Sequence, residues 1–229
     1  MTAVRGPVVV TGTDTGVGKT IVTAAIAAAS TQAGLSVAVV KPCQTGMSTG
    51  DEPDAAVVAR LAAPASVTTL ASYPDPLSPV AAARVAKLPM LGIAEVVEHV
   101  EALTTSHALV LIEGAGGALV PMGRDNWTVL DLAAALACPV VVVTRAGLGT
   151  LNHPALTRMA VTACGLRDFV VIGSWPERPA LVHHTNLDDL PSLDGLLPER
   201  AGELTATAFR AAAPHWLSPT LHGCQTRFG

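Results

Sequence analysis

Val8-Val9-Val10-Thr11-Gly12-Thr13-Asp14-Thr15-Gly16-Val17-Gly18-Lys19-Thr20 is the stretch on which the reading of this chain turns. The valine run predicts a buried strand, and the Ala-rich segment 19–32 after the loop predicts a helix. In a strand–glycine loop–helix unit, backbone N–H groups converge on phosphate oxygens. The helix N-terminus adds partial positive charge behind them. Lys19 is placed to reach β- and γ-phosphates, and Thr20 to offer its hydroxyl to Mg²⁺. Five residues separate Gly12 from Gly18, one more than the common phosphate-loop spacing. The Gly18-Lys19-Thr20 ending in this context still carries the assignment. The nucleotide-binding candidates here are Gly16, Val17, Gly18, Lys19, Thr20 and Ile21.

Outward from this loop, short Val- and Ile-rich runs alternate with longer Ala-rich ones. Strands are expected at 8–10, 37–40, 109–112, 140–143 and 169–172. Their uniform apolarity suits a parallel sheet covered on both faces. Helices are expected at 19–32, 54–61, 93–104, 128–136 and 150–164, with Gly34 and Gly165 at C-cap positions. The fold class that follows is α/β, doubly wound with a mainly parallel sheet, P-loop NTPase-like. Ligands then bind at the carboxyl ends of the strands. From Pro176 onward the pattern loosens, with weak helix signals at Asp188-Asp189 and 201–212. The chain reads as a single domain, 1–229, whose residues after about 215 are expected to be poorly ordered.

Composition narrows the function classes. The chain has 229 residues, half of them hydrophobic and only 14% charged, which argues against disorder. Its net charge of −4 offers no cationic field for nucleic acid or an anionic membrane. Aromatics at 3% make a base-stacking platform for single strands a poor fit. Mean hydropathy is +0.46, yet the most apolar run, 132–143, is too short for a span and contains Pro139. Cys43, Cys138, Cys164 and Cys224 match neither a zinc pattern nor a disulfide scaffold. A cytoplasmic location fits best.

Two further groups of residues carry chemistry. Glu113 ends the strand 109–112 and precedes Gly114-Ala115-Gly116-Gly117, so its carboxylate is placed to hold Mg²⁺ opposite the phosphate loop. Asp54 opens a helix after the 50–53 loop. It reads either as a metal ligand or as an acid complementing the helix dipole, as do Asp51 and Glu52. Strand 37–40 runs into Lys41-Pro42-Cys43-Gln44-Thr45-Gly46. Lys41 is either a second cation for charge developing on a transferring phosphate or an ordinary surface lysine. Gly149-Thr150-Leu151-Asn152 opens a helix whose free N–H groups suit an anion. His153 reads as a surface imidazole, and His183 and His184 have no partner pattern for a metal or a base.

Taken in order, Val-Thr-Gly-Thr-Asp-Thr-Gly-Val-Gly-Lys-Thr (10–20), Lys-Pro-Cys-Gln-Thr-Gly (41–46), Glu-Gly-Ala-Gly-Gly (113–117) and Leu-Gly-Thr-Leu-Asn-His (148–153) resemble the dethiobiotin synthetases of the biotin pathway. That family uses the five-residue loop spacing. The resemblance covers residues 7–175 well and the remainder loosely. It implies a homodimer that converts 7,8-diaminopelargonate, CO₂ (or bicarbonate) and ATP into dethiobiotin, ADP and phosphate, with Mg²⁺. It implies carbamylation of one amine, phosphorylation of the carbamate to a mixed anhydride, and ring closure by the neighbouring amine. By resemblance, Lys19 and Lys41 are catalytic, and Thr20, Asp54 and Glu113 hold the metal. Thr15 and Thr45 bind the amine end, and Gly149, Thr150, Leu151 and Asn152 reach across the dimer to the carboxylate. Gly114, Ala115 and Gly116 approach the nucleotide. Members often carry an Asn after the strand that ends here as Ile172-Gly173-Ser174-Trp175-Pro176. Gly173 and Ser174 then meet the base through backbone, flanked by Pro198, Glu199 and Arg200.

Two other readings share the loop. A cobyrinate-synthetase-related ligase would usually append a glutaminase domain, for which this chain has no room. A ParA/MinD-like switch ATPase would start its loop Lys-Gly-Gly and carry a basic or amphipathic surface. Residues 12–16 and the acidic balance run against that.

Overall fold

The computed structural model describes residues 2–190 and 192–228. A seven-stranded sheet runs in the order β3-β2-β4-β1-β5-β6-β7, every neighbouring pair parallel. The strands are β1 (Gly6–Gly12), β2 (Val37–Gln44), β3 (Ser66–Ser72), β4 (Leu109–Gly117), β5 (Val140–Thr144), β6 (Asp168–Trp175) and β7 (Gly195–Pro198). The helices are α1 (Lys19–Gln32), α2 (Asp54–Ala62), α3 (Pro79–Ala86), α4 (Ile93–Thr104), α5 (Val129–Ala135), α6 (Asn152–Ala163), α7 (Leu181–Asp189) and α8 (Ala206–Ala212).

The sheet separates two apolar clusters, as a doubly wound fold requires. Val8, Val10 and Leu111 face α1 and α2, while Val9, Val110 and Ile112 face α4 and α5. The alternation along β1 is the strand's period of two, and both faces are buried. α1 packs through small residues. Seven of its positions from Val22 to Ala29 are fully or almost fully buried apolar side chains, five of them alanines. That brings the helix axis close to the strands and fixes the loop before it.

Several sequence expectations are corrected. β3 and β7 were not anticipated, because edge strands bury less: β3 is half-buried up to its exposed last residue, Ser72, and β7 is four residues ending in Pro198. An edge position tolerates that proline. α3 was also missed; Pro79 occupies its first turn. β4 continues past Ile112 to Gly117, so Glu113 lies within the strand. α6 starts at Asn152, two residues later than expected. Nor is the segment after 215 loose, since Leu217 and Leu221 are buried in the core. Thr220 O accepts from Val4 N at 3.0 Å, and Asp194 Oδ1 accepts from the Thr220 hydroxyl at 2.9 Å. Apolar side chains at 217 and 221 have nowhere better to go than the gap beside α1 and α8.

Candidate active site

Strand order builds the site. β2 and β4 are paired with Val40 opposite Ile112, so the next residues along, Lys41 and Glu113, emerge side by side. β4 also pairs with β1, Val10 opposite Glu113, just before the loop that begins at Gly12. Lys41 is 4% exposed and Glu113 1%. The Lys41 ammonium reaches Asp54 Oδ2 at 2.5 Å and Glu113 Oε1 at 2.9 Å, and donates to Gly114 O at 3.1 Å. An ammonium has three hydrogens, and each has a partner here. The Thr20 hydroxyl lies 3.0 Å from Asp54 Oδ1 and 2.8 Å from Glu113 Oε1, and shares its one proton between them. Gln44 Oε1 accepts from Asp54 N at 3.1 Å and so orients the start of α2.

Electrostatics follow from this packing. Burial opposes the charge on Lys41, but Glu113 and Asp54 outweigh it and raise its pKa. Burial likewise opposes the Asp54 carboxylate, and Lys41 more than compensates, so its pKa falls. Lys19 is lowered by burial and then by the Lys41 cation nearby. Its ammonium donates to Asp14 O at 3.0 Å. Burial pushes the Cys43 thiol up to about 12, so it stays neutral at the cavity wall.

The phosphate loop is held by close backbone approach. Gly18 has φ +97°, a left-handed conformation in which the chain enters α1. A Cβ on Gly12 would stand 2.7 Å from Val17 Cγ2 and 2.8 Å from Asp14 O. A Cβ on Gly173 would stand 2.0 Å from Val17 O. Gly173, expected to meet a base, is therefore also the seat on which the loop rests. Asp14 is tied to Arg145 at the end of β5, Oδ2 to guanidinium 3.0 Å.

A cavity of about 780 Å³ opens over these groups. Of the expected residues it is lined by Thr15, Gly16, Gly18, Lys19, Thr20 and Ile21 on the loop side. Lys41, Thr45, Asp54, Glu113, Ala115 and Gly116 line the rest. Val17 is buried behind the loop, and Gly114 contributes its carbonyl to Lys41. Gly173, Ser174, Pro198, Glu199 and Arg200 are not among the lining residues. Glu199 Oε1 is engaged with Glu177 N at 2.8 Å and Arg200 with Glu203 at 2.7 Å. Gly149, Thr150, Leu151 and Asn152 also lie outside this cavity. The expected row of free N–H groups is reduced there: Asn152 N and His153 N both donate to Gly149 O, and Pro154 has no N–H. The Thr150 hydroxyl turns inward to Arg145 O at 2.6 Å and to the Thr144 hydroxyl at 3.0 Å.

Sequence reading missed Gln44, Val120 and the stretch Pro76-Leu77-Ser78-Pro79, all of which line the cavity. Three prolines in 73–79, the last opening a helix, were the available signal of a stiff loop. Gly46 N and Met47 N donate to Asp75 O and Tyr73 O, so this loop is tied to the one carrying Thr45.

Residues 7–199 match the family model described as an AAA domain. The chain is 54% identical over 218 residues to the ATP-dependent dethiobiotin synthetase BioD of Rhodococcus jostii (strain RHA1), covering 93% of this chain and 94% of that protein. It is 49% identical over 221 residues to the protein of the same name from Streptomyces coelicolor, with 94% and 93% covered. Among solved structures it resembles a ParA family ATPase from Chlorobium tepidum, with TM-score 0.55 at 14% identity and 96% of both chains covered. The septum site-determining protein MinD of Pyrococcus horikoshii, complexed with Mg-ADP, gives TM-score 0.52 at 19% identity over 94% of this chain and 96% of that one. At such identities these two likenesses are of architecture alone. The sequence identities over nearly the whole length go further: this chain belongs to the ATP-dependent dethiobiotin synthetase family.

Proposed function

We propose that this protein carboxylates 7,8-diaminopelargonate and closes the ring to dethiobiotin at the expense of ATP, releasing ADP and phosphate. The carrying observation is the Lys41–Asp54–Glu113–Thr20 cluster at the mouth of a phosphate loop. In this reading one substrate amine takes up CO₂ as a carbamate. The carbamate oxygen attacks the γ-phosphorus, ADP leaves, and a carbamic–phosphoric anhydride forms. The second amine then attacks the carbonyl carbon, phosphate departs, and a proton is lost from nitrogen. Lys19 and Lys41 meet the charge that develops on the phosphoryl oxygens, where preorganised donors act most strongly. Thr15 and Thr45, which both line the cavity, hydrogen-bond the amine and carbamate end.

The donor set fits Mg²⁺. Thr20, Asp54 and Glu113 present only hard oxygen atoms, and one hydroxyl lies within 3.0 Å of both carboxylates. Such an ion would be held through one or two of these carboxylates, with phosphate oxygens completing its shell. When bound, Mg²⁺ neutralises β- and γ-phosphate charge.

The protein works as a homodimer in this reading, with Gly149–Asn152 of one subunit holding the carboxylate tail in the other's site. Support comes from an apolar face around that segment: Leu148 is 87% exposed, Met159 68% and Leu156 56%. Beside it lies a groove of about 540 Å³ lined by Leu151, Pro154, Ala155 and Met159. Clustered exposed apolar side chains are one mark of a protein–protein contact surface. Mass spectrometry of a reaction holding diaminopelargonate, bicarbonate, Mg²⁺ and ATP tests the activity. A new dethiobiotin peak dependent on all four is expected. ATP hydrolysis indifferent to the diamine would instead point to a switch ATPase.

A further inference from the structure

Helix α7 was only faintly legible in the sequence, and it buries one side chain, Asn186. That amide is 6% exposed. Its Nδ2 donates to Ala146 O and to Gly147 O, both at 3.0 Å. An amide nitrogen carries two hydrogens, and both are given to the loop between β5 and α6. Burying an amide is costly unless it is hydrogen-bonded, so the pairing is what makes this position tolerable. The loop needs such a hold. It contains Gly147 and Gly149, the latter at φ +95°, and its tip, Leu148, is almost fully exposed. Glycine-rich backbone has much conformational freedom to lose on ordering. The Thr150 hydroxyl braces the loop from within, and the Arg145–Asp14 pair is solvent-exposed. Asn186 is the buried tie from a separate element.

We propose that Asn186 is a positioning residue for the substrate-binding segment Gly149–Asn152. It touches no substrate. It holds the Ala146 and Gly147 carbonyls, just ahead of Leu148, and so fixes where Leu148 to Asn152 stand when they meet the partner subunit. This rests on the reading that the segment binds the carboxylate tail of the diamine. The tail is remote from the reacting atoms, so its binding is shared by ground and transition states. Losing its register raises KM and leaves kcat alone.

The test uses Asn186→Ala and the similarly sized Asn186→Leu, each lacking both donors, the second guarding against collapse of a cavity. In steady-state dethiobiotin formation, the KM for the diamine is expected to rise about tenfold, equivalent to about 1.4 kcal/mol. The kcat at saturating diamine and the KM for ATP stay within about twofold. Hydrogen exchange of the intact protein should speed up in peptides covering 145–152 and not in those covering 6–32. An unchanged diamine KM, unchanged exchange at 145–152, or an equal rise in the ATP KM would each overturn the proposal. If the wild type makes no dethiobiotin, the proposed activity fails, and the exchange measurement alone then decides whether Asn186 holds the loop.

Discussion

Replacing Gly173 by alanine should damage the phosphate loop from behind. The added methyl carbon would stand 2.0 Å from Val17 O and 2.8 Å from Val143 Cγ1, whereas ordinary contact begins at 3.4 Å. Val17 O must therefore retreat by about 1.4 Å, or β6 must. Neither can yield easily. Val143 and Val171 are fully buried, and Val17 is 3% exposed. Overpacking a close-packed site costs about 1–3 kcal/mol. In a domain of this length that lowers Tm by about 2–12 °C. The functional cost is of similar size. Val17 and Gly18 present the N–H groups that would grip phosphate, and a misplacement of about 1 Å can cost about a hundredfold in rate. Steady-state dethiobiotin formation should show kcat/KM for ATP lower by about that factor. Gly165→Ala is the control. Unlike Gly173 it has a positive φ, of +70°, which alanine strains, but nothing lies within 4 Å of its Cβ, so Tm falls while ATP kinetics hold. Wild-type ATP kinetics in Gly173→Ala would refute the idea that β6 seats the loop.

Other expectations follow from the same geometry. Lys19→Ala and Lys41→Ala should each lower kcat by about 10²–10³, as loss of a preorganised donor does; near-normal turnover by the Lys41 variant would remove it from the mechanism. Base discrimination should be weak, because Gly173-Ser174 replaces an amide side chain: CTP or GTP should act within about a hundredfold of ATP in kcat/KM. A preference beyond about a thousandfold, measured across four nucleotides, would mean another group reads the base. Mixing Lys19→Ala with Asn152→Ala subunits should recover activity through hybrid sites, and fully active monomers in analytical ultracentrifugation would exclude shared ones. Burial holds the Cys43 and Cys138 thiols at about 12, while Cys164 and Cys224 are exposed. A thiol reagent at pH 8 should thus label two cysteines in the native protein and four after denaturation. The unfolded chain releases those buried protons first, from a reference of 9.0. Stability is therefore intact below about pH 9 and declines toward 12, by about 1.4 kcal/mol per thiol at pH 10. Chemical denaturation at pH 8 and pH 10 measures it.

Local chemistry was legible from residues alone wherever a short stretch carries its own constraint. Helix α1 begins at Lys19 and ends at Gln32 as read, because Gly18 and Gly34 take left-handed conformations at its two ends. α4 was bounded correctly too, its apolar spacing being regular and Gly92 and Thr105 flanking it. The central strands were recognisable because both their faces are buried, which leaves an uninterrupted apolar run. Edge strands β3 and β7 bury one side at most, so their sequences blend with loop. Ser66-Val67-Thr68-Thr69-Leu70 has strand propensity, but nothing local says which sheet it joins.

Lys41 and Asp54 mark the boundary. Each was ambiguous in isolation, a surface lysine and a helix-start acid being equally good readings of their neighbourhoods. Their meaning depends on β2 lying between β3 and β4, with Val40 paired to Ile112. That pairing joins residues about seventy apart, and closing so long a loop draws on the whole core. No local periodicity encodes it. The phosphate loop was legible in thirteen consecutive residues because its glycines and the strand and helix around them lie together in sequence; its seat on Gly173 was not. Lys41 and Glu113, which face the loop, are brought within 3 Å only by the strand order, because side chains so far apart in sequence meet only when the sheet is complete.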